Sequence, residues 1–214
     1  MTMRAKERLL AAVVSQFHRP RGLGGRLAGW EMTLRPSNRR RNRWAVVLLE
    51  VQPHDCVLEV GFGPGFAIRE LARRATEGVV MGIDHSEVMV RQATSRNRAA
   101  VRQGRVELRL GSAADLGEFS TTFDKVLSVN SFGMWPDPAA RLKELLGAMR
   151  PGGRAAIVSQ PRSPGATAAT TDRIGRETAE RLEEAGFTSV RRETLPLRPP
   201  VVCVLAEAPS AMKQ

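Results

Sequence analysis

Residues 57–72 read VLEVGFGPGFAIRELA, and this stretch decides the fold. An apolar run opens the stretch and is typical of a buried strand. The run leads into a turn with Gly61, Gly63 and Gly65, and then into a segment whose apolar residues recur with helical spacing. Since glycine has no Cβ, such a turn lets a ligand lie against the backbone, near the N–H groups that open the helix.

The spacing of the glycines separates two classes of nucleotide-binding protein. Dinucleotide enzymes use G-x-G-x-x-G, which would require a glycine at position 66, and this chain has Phe66 there. The pattern present is an acid, Glu59, followed by three glycines at alternate positions from Gly61 onward. This pattern resembles motif I of the class I S-adenosylmethionine-dependent methyltransferases.

Composition limits the class of protein. A chain of 214 residues suits one α/β domain with a modest appendage. It contains no run of about eighteen apolar residues and no apolar core of a secretory signal, so we expect a cytoplasmic protein. Cys56 and Cys203 are isolated and the three histidines are scattered, which predicts neither a disulfide framework nor a metal site.

The positive charge is concentrated near the N-terminus. Residues 1–43 hold eleven Lys or Arg against two acidic residues, and they therefore carry most of the net charge of +11 of the whole chain. Helical spacing predicts helices over residues 4–17 and 25–34, and we interpret residues 1–43 as a basic helical lid or partner contact. The alternative for the arginines from Arg39 to Arg43 is a solvated basic face.

Strands alternate with helices along the rest of the chain, which predicts a parallel sheet with right-handed crossovers. We expect a Rossmann-like α/β domain over residues 44–208 and a tail over residues 209–214. The resemblance implies a seven-stranded, mostly parallel sheet with an antiparallel last strand and helices on both faces. The predicted strands cover residues 57–60, 78–84, 106–110, 123–130, 155–159, 189–194 and 201–206. One helix is expected over residues 86–100.

Two acidic residues fall at the carboxyl ends of strands, where open α/β sheets bind ligands. Asp84 ends the second strand, and its carboxylate can accept hydrogen bonds from both ribose hydroxyls of a nucleoside. Alternatively, Asp84 stabilises the N-terminus of the next helix. The resemblance implies that Asp115 takes the adenine amino group, with the backbone of Ala114 at the ring edge. Alternatively, Asp115 shapes a turn.

The resemblance adds further candidates around the cofactor. It implies that Glu59 reaches the amino group of the methionine part through water, and that Asn130 touches this part. His85 would border the ribose, and Met89 packs either on the adenine or in the core. The predicted cofactor-binding residues are therefore Glu59, Gly61, Gly63, Gly65, Asp84, His85, Met89, Ala114, Asp115 and Asn130.

The predicted activity is in-line transfer of a methyl group from S-adenosylmethionine, giving S-adenosylhomocysteine, without a metal. The chain is most similar to the small-molecule and lipid methyltransferases that include the ubiquinone/menaquinone group. Many of these carry a histidine pair where this chain has Gly133 and Met134. His18 and His85 are therefore weak candidates for a base, and the sequence identifies no catalytic residue.

Several acceptors and roles fit the basic N-terminal segment. We expect a small-molecule or lipid acceptor, for which an anionic group would suit the arginines, and a peripheral contact with an anionic membrane. RNA or protein acceptors are alternatives, although the chain has no Tyr for base stacking. A non-catalytic adenosyl-ligand or membrane-binding protein and a nicotinamide dehydrogenase are the rival classes. The oligomeric state is not predicted.

Overall fold

The structure of the protein is a computed structural model that describes residues 36–210. The helices expected over residues 4–17 and 25–34, together with His18, lie outside this range. The elements are α1 (Pro36–Leu49), β1 (Cys56–Val60), α2 (Phe66–Ala72), β2 (Val79–Asp84), α3 (Glu87–Arg96), α4 (Arg98–Arg102), β3 (Val106–Leu110), β4 (Phe123–Val129), α5 (Pro138–Gly147), β5 (Met149–Ser159), α6 (Ala168–Glu184), β6 (Thr188–Leu195) and β7 (Val201–Glu207). Two 3-10 turns cover Ala113–Glu118 and Phe132–Met134.

The seven strands form one sheet in the order β3-β2-β1-β4-β5-β7-β6. Strands β1 to β5 are parallel, and β7 runs antiparallel to both of its neighbours, β5 and β6. The predicted seven-stranded, mostly parallel sheet with an antiparallel last strand is confirmed. The strand order reverses between β1 and β4, and ligands of open α/β sheets bind at such a switch point.

Helices cover both faces of the sheet, as predicted. One hydrophobic cluster packs α1, α2 and α3 against the sheet through residues such as Leu49, Ile68 and Ala93. The second cluster packs α5 and α6 against the opposite face, with Leu142 and Leu182 fully buried. Helix α1 crosses residue 43, so the predicted division of the chain at this residue falls inside a continuous helix. Between residues 36 and 210, no helix is long and apolar enough to cross a membrane.

The prediction of one continuous helix over residues 86–100 is wrong. It is divided at Asn97 into α3 and α4, and the backbone of Asn97 leaves the helical region at φ −108° and ψ 16°. The Asn97 side chain donates to the carbonyl oxygens of Gly65 at 3.1 Å and Ala93 at 2.8 Å. These two bonds fix the glycine turn against α3, which explains why the helix is interrupted there.

The predicted start of the fifth strand, at residue 155, is also wrong. β5 begins at Met149 instead of residue 155, because Met149 already pairs with Phe123. The register then shifts, and Arg154 pairs with Lys125. The Pro-Gly-Gly turn that follows Arg150 therefore bulges out of the ladder instead of preceding it.

We expect Gly61→Ala to destabilise the protein by about 2–4 kcal/mol. Gly61 has φ +76°, and an added Cβ would lie 2.3 Å from Cβ of Ser131 and 2.6 Å from its Oγ. Ser131 cannot retreat freely, since its Oγ donates to the carbonyl oxygen of Val60 at 2.5 Å. Thermal unfolding should show a melting temperature lower by about 5–15 °C.

Gly133→Ala is the matched control for this substitution. Gly133 is exposed, and a Cβ added there would meet nothing within 4 Å. We expect its melting temperature to stay within about 2 °C of the wild type. Equal melting temperatures for the two variants would contradict the packing of Gly61 against Ser131.

Candidate functional site

The glycine turn between β1 and α2 lies at the carboxyl edge of the sheet, and its glycines have different surroundings. The Gly61 N–H donates to the carbonyl oxygen of Ile83 at 2.8 Å, which ties the turn to β2. A Cβ on Gly65 would lie 2.7 Å from that of Ala93, so Gly65 lets α3 approach. Gly63, with φ +52°, has nothing within 4 Å of an added Cβ. Of the three glycines, Gly63 is the one that leaves room for a ligand.

Asp84 connects the end of β2 to the tip of the glycine turn. Its Oδ2 accepts from the Gly63 N–H at 2.8 Å, and its Oδ1 accepts from the Ser86 N–H at 2.9 Å. The side chain is buried, and burial raises the pKa of Asp84, whereas these two N–H groups and His85 favour its charged form. Each carboxylate oxygen can accept a further bond, so hydroxyl groups can bind beside the backbone donors.

Glu59 is a buried carboxylate whose bonding is incomplete. It is 2% exposed and accepts from the Ile68 N–H in the first turn of α2, while its Oε2 has no hydrogen-bond partner. Burial first, and the charge of Asp84 second, raise the pKa of Glu59 well above its ordinary value. In the described range, no Lys or Arg forms an ion pair with Glu59. A cationic or hydrogen-bond-donating ligand would complete its bonding.

Asp115 closes the turn that follows β3. Its Oδ2 accepts from the Ser112 N–H at 2.6 Å, and the Ser112 Oγ in turn accepts from the Ala114 N–H at 3.1 Å. This capping box supports the alternative of a turn-forming aspartate, and the adenine contact stays a prediction. The carbonyl oxygen of Ala114 accepts from Arg141 at 3.0 Å, which holds the turn against α5.

The remaining predicted residues occupy different environments. Met89 is 2% exposed and lies in the hydrophobic core, in agreement with its second interpretation. Asn130 has φ +56°, and its Oδ1 accepts from the Gln160 N–H at 2.7 Å, which joins the ends of β4 and β5. His85 is exposed beside Asp84. In the part of the chain described, no three His, Cys, Asp or Glu residues are grouped so that they could hold a metal ion.

The sequence analysis does not predict that Arg41 is buried. Its neighbours Arg39, Arg40 and Arg43 are exposed, whereas Arg41 is 6% exposed and donates to Oε1 of Gln160 at 2.7 Å. The solvated basic face is therefore wrong for this arginine. Helical spacing carries the signal, because Arg41 lies one turn before Ala45 on the apolar side of α1.

We expect Glu59→Gln to gain stability relative to the wild type as the pH rises. A carboxyl whose pKa is raised by folding binds more protons in the folded than in the unfolded state. The free energy of unfolding of the wild type therefore falls as the pH rises from about 4.5, the ordinary pKa of Glu, towards the raised pKa of Glu59. The difference in free energy of unfolding between Glu59→Gln and the wild type should change by at most about 1.4 kcal/mol for each pH unit. Urea unfolding of both proteins at about pH 5 and about pH 8 measures it. A constant difference would contradict a buried Glu59 carboxyl.

Comparison with known proteins gives the family. A family model described as a methyltransferase domain matches residues 57–153. The uncharacterized methyltransferase YdaC of Bacillus subtilis (strain 168) is 33% identical over 185 residues, which cover 86% of this chain and 99% of YdaC. The ubiquinone/menaquinone biosynthesis C-methyltransferase UbiE of Geotalea daltonii is 29% identical over 58% of this chain and 54% of that protein.

Solved structures share the fold of this chain. The N-methyltransferase NodS from Bradyrhizobium japonicum WM9, crystallised with S-adenosyl-L-homocysteine, superposes with a TM-score of 0.65. The match covers 85% of this chain and 92% of NodS at 18% sequence identity. At this identity the similarity concerns the fold alone.

Proposed function

Because the chain belongs to the class I S-adenosylmethionine-dependent methyltransferases, we propose that it methylates a small-molecule or lipid acceptor and releases S-adenosylhomocysteine. The methyl group would be transferred by in-line displacement. We further propose that the reaction takes place in the cytoplasm, at or near a membrane surface, and that it uses no metal.

The incomplete bonding of the buried Glu59 carboxylate is the observation that carries the proposed cofactor site. S-adenosylmethionine would supply the sulfonium-bound methyl group and, in its methionine part, a cationic ammonium group. Oε2 of Glu59 would accept from that ammonium, directly or through water, and the buried carboxylate would then be paired. The open space at Gly63 leaves room for the ligand against the backbone. The residues present therefore fit this cofactor.

The other predicted residues would complete the site. Asp84 would accept the ribose hydroxyls while it holds the glycine turn, and Asp115 with Ala114 would face the adenine. Gly61, Gly65 and Met89 would support these residues through packing, with His85 and Asn130 at the borders of the site.

Positioning is the main contribution that we assign to the protein. A sulfonium is an excellent leaving group, so a nucleophile held in line with the methyl group gains most of the rate from orientation. An amine or an anion needs no further help, whereas a hydroxyl would need a base within hydrogen-bond reach. His85 stays a candidate for such a base, and so does His18, which lies outside the described residues.

A small acceptor is supported by the short connection between β5 and α6. Residues 160–167 join these elements and leave no room for an inserted acceptor domain. The name of the UbiE relative, a quinone-biosynthesis C-methyltransferase, supports the same class of acceptor. The exposed arginines of α1 favour the alternative of an RNA or protein acceptor, which the basic segment of residues 1–43 would contact.

Transfer of radiolabelled methyl from S-adenosylmethionine into a bacterial extract tests the proposal. The extract is separated after the reaction into lipid, aqueous small-molecule and acid-precipitable pools. Label in either of the first two pools supports the proposed acceptor class. Label in the precipitate would assign the protein to nucleic-acid or protein methylation instead, and no label despite cofactor binding would favour a non-catalytic role.

A further inference from the structure

Two arginines meet at the carboxyl ends of β4 and β5, away from the proposed nucleoside site. Arg41 reaches this place from α1, and Arg162 follows β5. Arg41 donates to Oε1 of Gln160, and Arg162 donates to Oδ1 of Asn38 at 2.8 Å. We name these four residues the arginine cluster. The acceptor of the Arg41 bond is a neutral amide oxygen, which does not compensate the positive charge of Arg41.

The charge on Arg41 lies in an unfavourable environment. Burial, and to a smaller extent the charge of Arg162, lower the pKa of Arg41 to about 9. Its Nε is buried without a hydrogen-bond partner, and in the described range no carboxylate forms an ion pair with it. A buried charge is ordinarily paired, because removing it from water is unfavourable. A fold that keeps a buried guanidinium beside a second one therefore suits a bound anion.

The position of the cluster separates it from the nucleoside end of the site. Gln160 donates its N–H to Asn130, so the cluster is fixed over β4 and β5. Asp84 ends β2, and in the sheet order β1 and β4 lie between β2 and β5. Strands are spaced by about 4.8 Å, which places the cluster roughly 10 Å or more from the ribose side. That side of the switch point is available to the acceptor.

We propose that Arg41 and Arg162 bind an oxyanion of the methyl acceptor, either a carboxylate or a phosphate. This inference rests on the proposed function, because it needs a cofactor site next to the cluster. A guanidinium presents a planar fork of N–H donors that matches both groups, and its Nε is one of these donors. Gln160 and Asn38 would hold the two forks in place, and the acceptor would be an acidic small molecule or an anionic lipid.

Thermal unfolding with inorganic phosphate as the probe tests the cluster. For the wild type we expect phosphate, at about twentyfold above its Kd, to raise the melting temperature by roughly 3–6 °C over chloride at equal ionic strength. Arg41→Met and Arg162→Met should each lose this shift. Arg40→Met, which removes an exposed charge from the same helix, is the control and should keep the shift. Equal shifts in all four proteins would overturn the proposal.

Calorimetry with S-adenosylhomocysteine distinguishes the possible failures. If the cluster serves the acceptor, Arg41→Met and Arg162→Met should bind this product within about threefold of the wild-type affinity. A loss of tenfold or more in either variant would assign the cluster to the carboxylate of the methionine part and overturn the proposal. Absence of binding to the wild type would reject the proposed function itself, whatever phosphate does. Arg162 is exposed, so its variant keeps the test valid if Arg41→Met fails to fold.

The labelled product gives an independent test of the acceptor. Radiolabelled product made by the wild type from a bacterial extract is applied to an anion-exchange resin. We expect the label to be retained and to elute with salt, since the acceptor carries a carboxylate or a phosphate. Label that passes through with neutral and cationic compounds would overturn the proposal.

Discussion

Asp84→Ala is expected to weaken binding of S-adenosylhomocysteine by about 1.5–3 kcal/mol, or roughly 10- to 150-fold. The substitution removes the carboxylate that we propose as the acceptor for the ribose hydroxyls. It also leaves the Gly63 and Ser86 N–H groups, bonded to Asp84 at 2.8 and 2.9 Å, without their acceptor. The glycine turn then loses the contact that fixes its tip against β2. Isothermal titration calorimetry of the variant and the wild type measures the loss.

Asp84→Asn serves as the matched variant for this experiment. The amide keeps one acceptor oxygen, which can satisfy one of the two backbone N–H groups, but its nitrogen cannot accept from the other. We therefore expect an affinity between those of the wild type and Asp84→Ala. Wild-type affinity in a folded Asp84→Ala protein would remove Asp84 from the cofactor site.

Gly63→Ala is expected to reduce cofactor affinity by about 5- to 150-fold while the protein still folds. Gly63 has φ +52°, so an L-residue there costs about 1–2 kcal/mol of stability. The protein itself leaves open the space that an added Cβ would take. Because we place the ligand in that space, the Cβ of the introduced alanine should weaken ligand binding more than it weakens folding. Calorimetry and a thermal melt on the same sample separate the two effects.

Gly104→Ala controls for the backbone strain. Gly104 has φ +72° and also has nothing within 4 Å of an added Cβ. It precedes β3 and therefore lies at the amino-terminal ends of the parallel strands, whereas the glycine turn lies at their carboxyl ends. We expect Gly104→Ala to lose a similar amount of stability and no cofactor affinity. If Gly63→Ala bound the product as tightly as Gly104→Ala does, the ligand would not lie against the glycine turn.

The fold could be predicted because its signals are local. The run of alternating strands and helices is visible in short-range periodicity, and the glycine turn after β1 fixes where the sheet begins. The resemblance through Glu59 and the glycines supplied the sheet type, and the family and fold are confirmed. The break at Asn97 could not be predicted, since it depends on bonds from its side chain to Gly65 and Ala93.

The functions of single residues at the site depend on contacts between distant parts of the chain. Sequence spacing treats the three glycines alike, whereas Gly61 and Gly65 meet protein neighbours and Gly63 does not. Helical spacing places Arg41 on the apolar side of α1 but does not show its bonding partner, Gln160, which is 119 positions away in the chain. Such contacts become visible only when β1, β4 and β5 are placed side by side.

Isothermal titration of S-adenosylhomocysteine into the wild-type protein tests the central claim most directly. We expect saturable binding at one site for each chain, and no tighter binding when NAD replaces the ligand. A folded wild-type protein that binds no S-adenosylhomocysteine, or that binds NAD more tightly, would contradict the cofactor site at Glu59, Gly63 and Asp84.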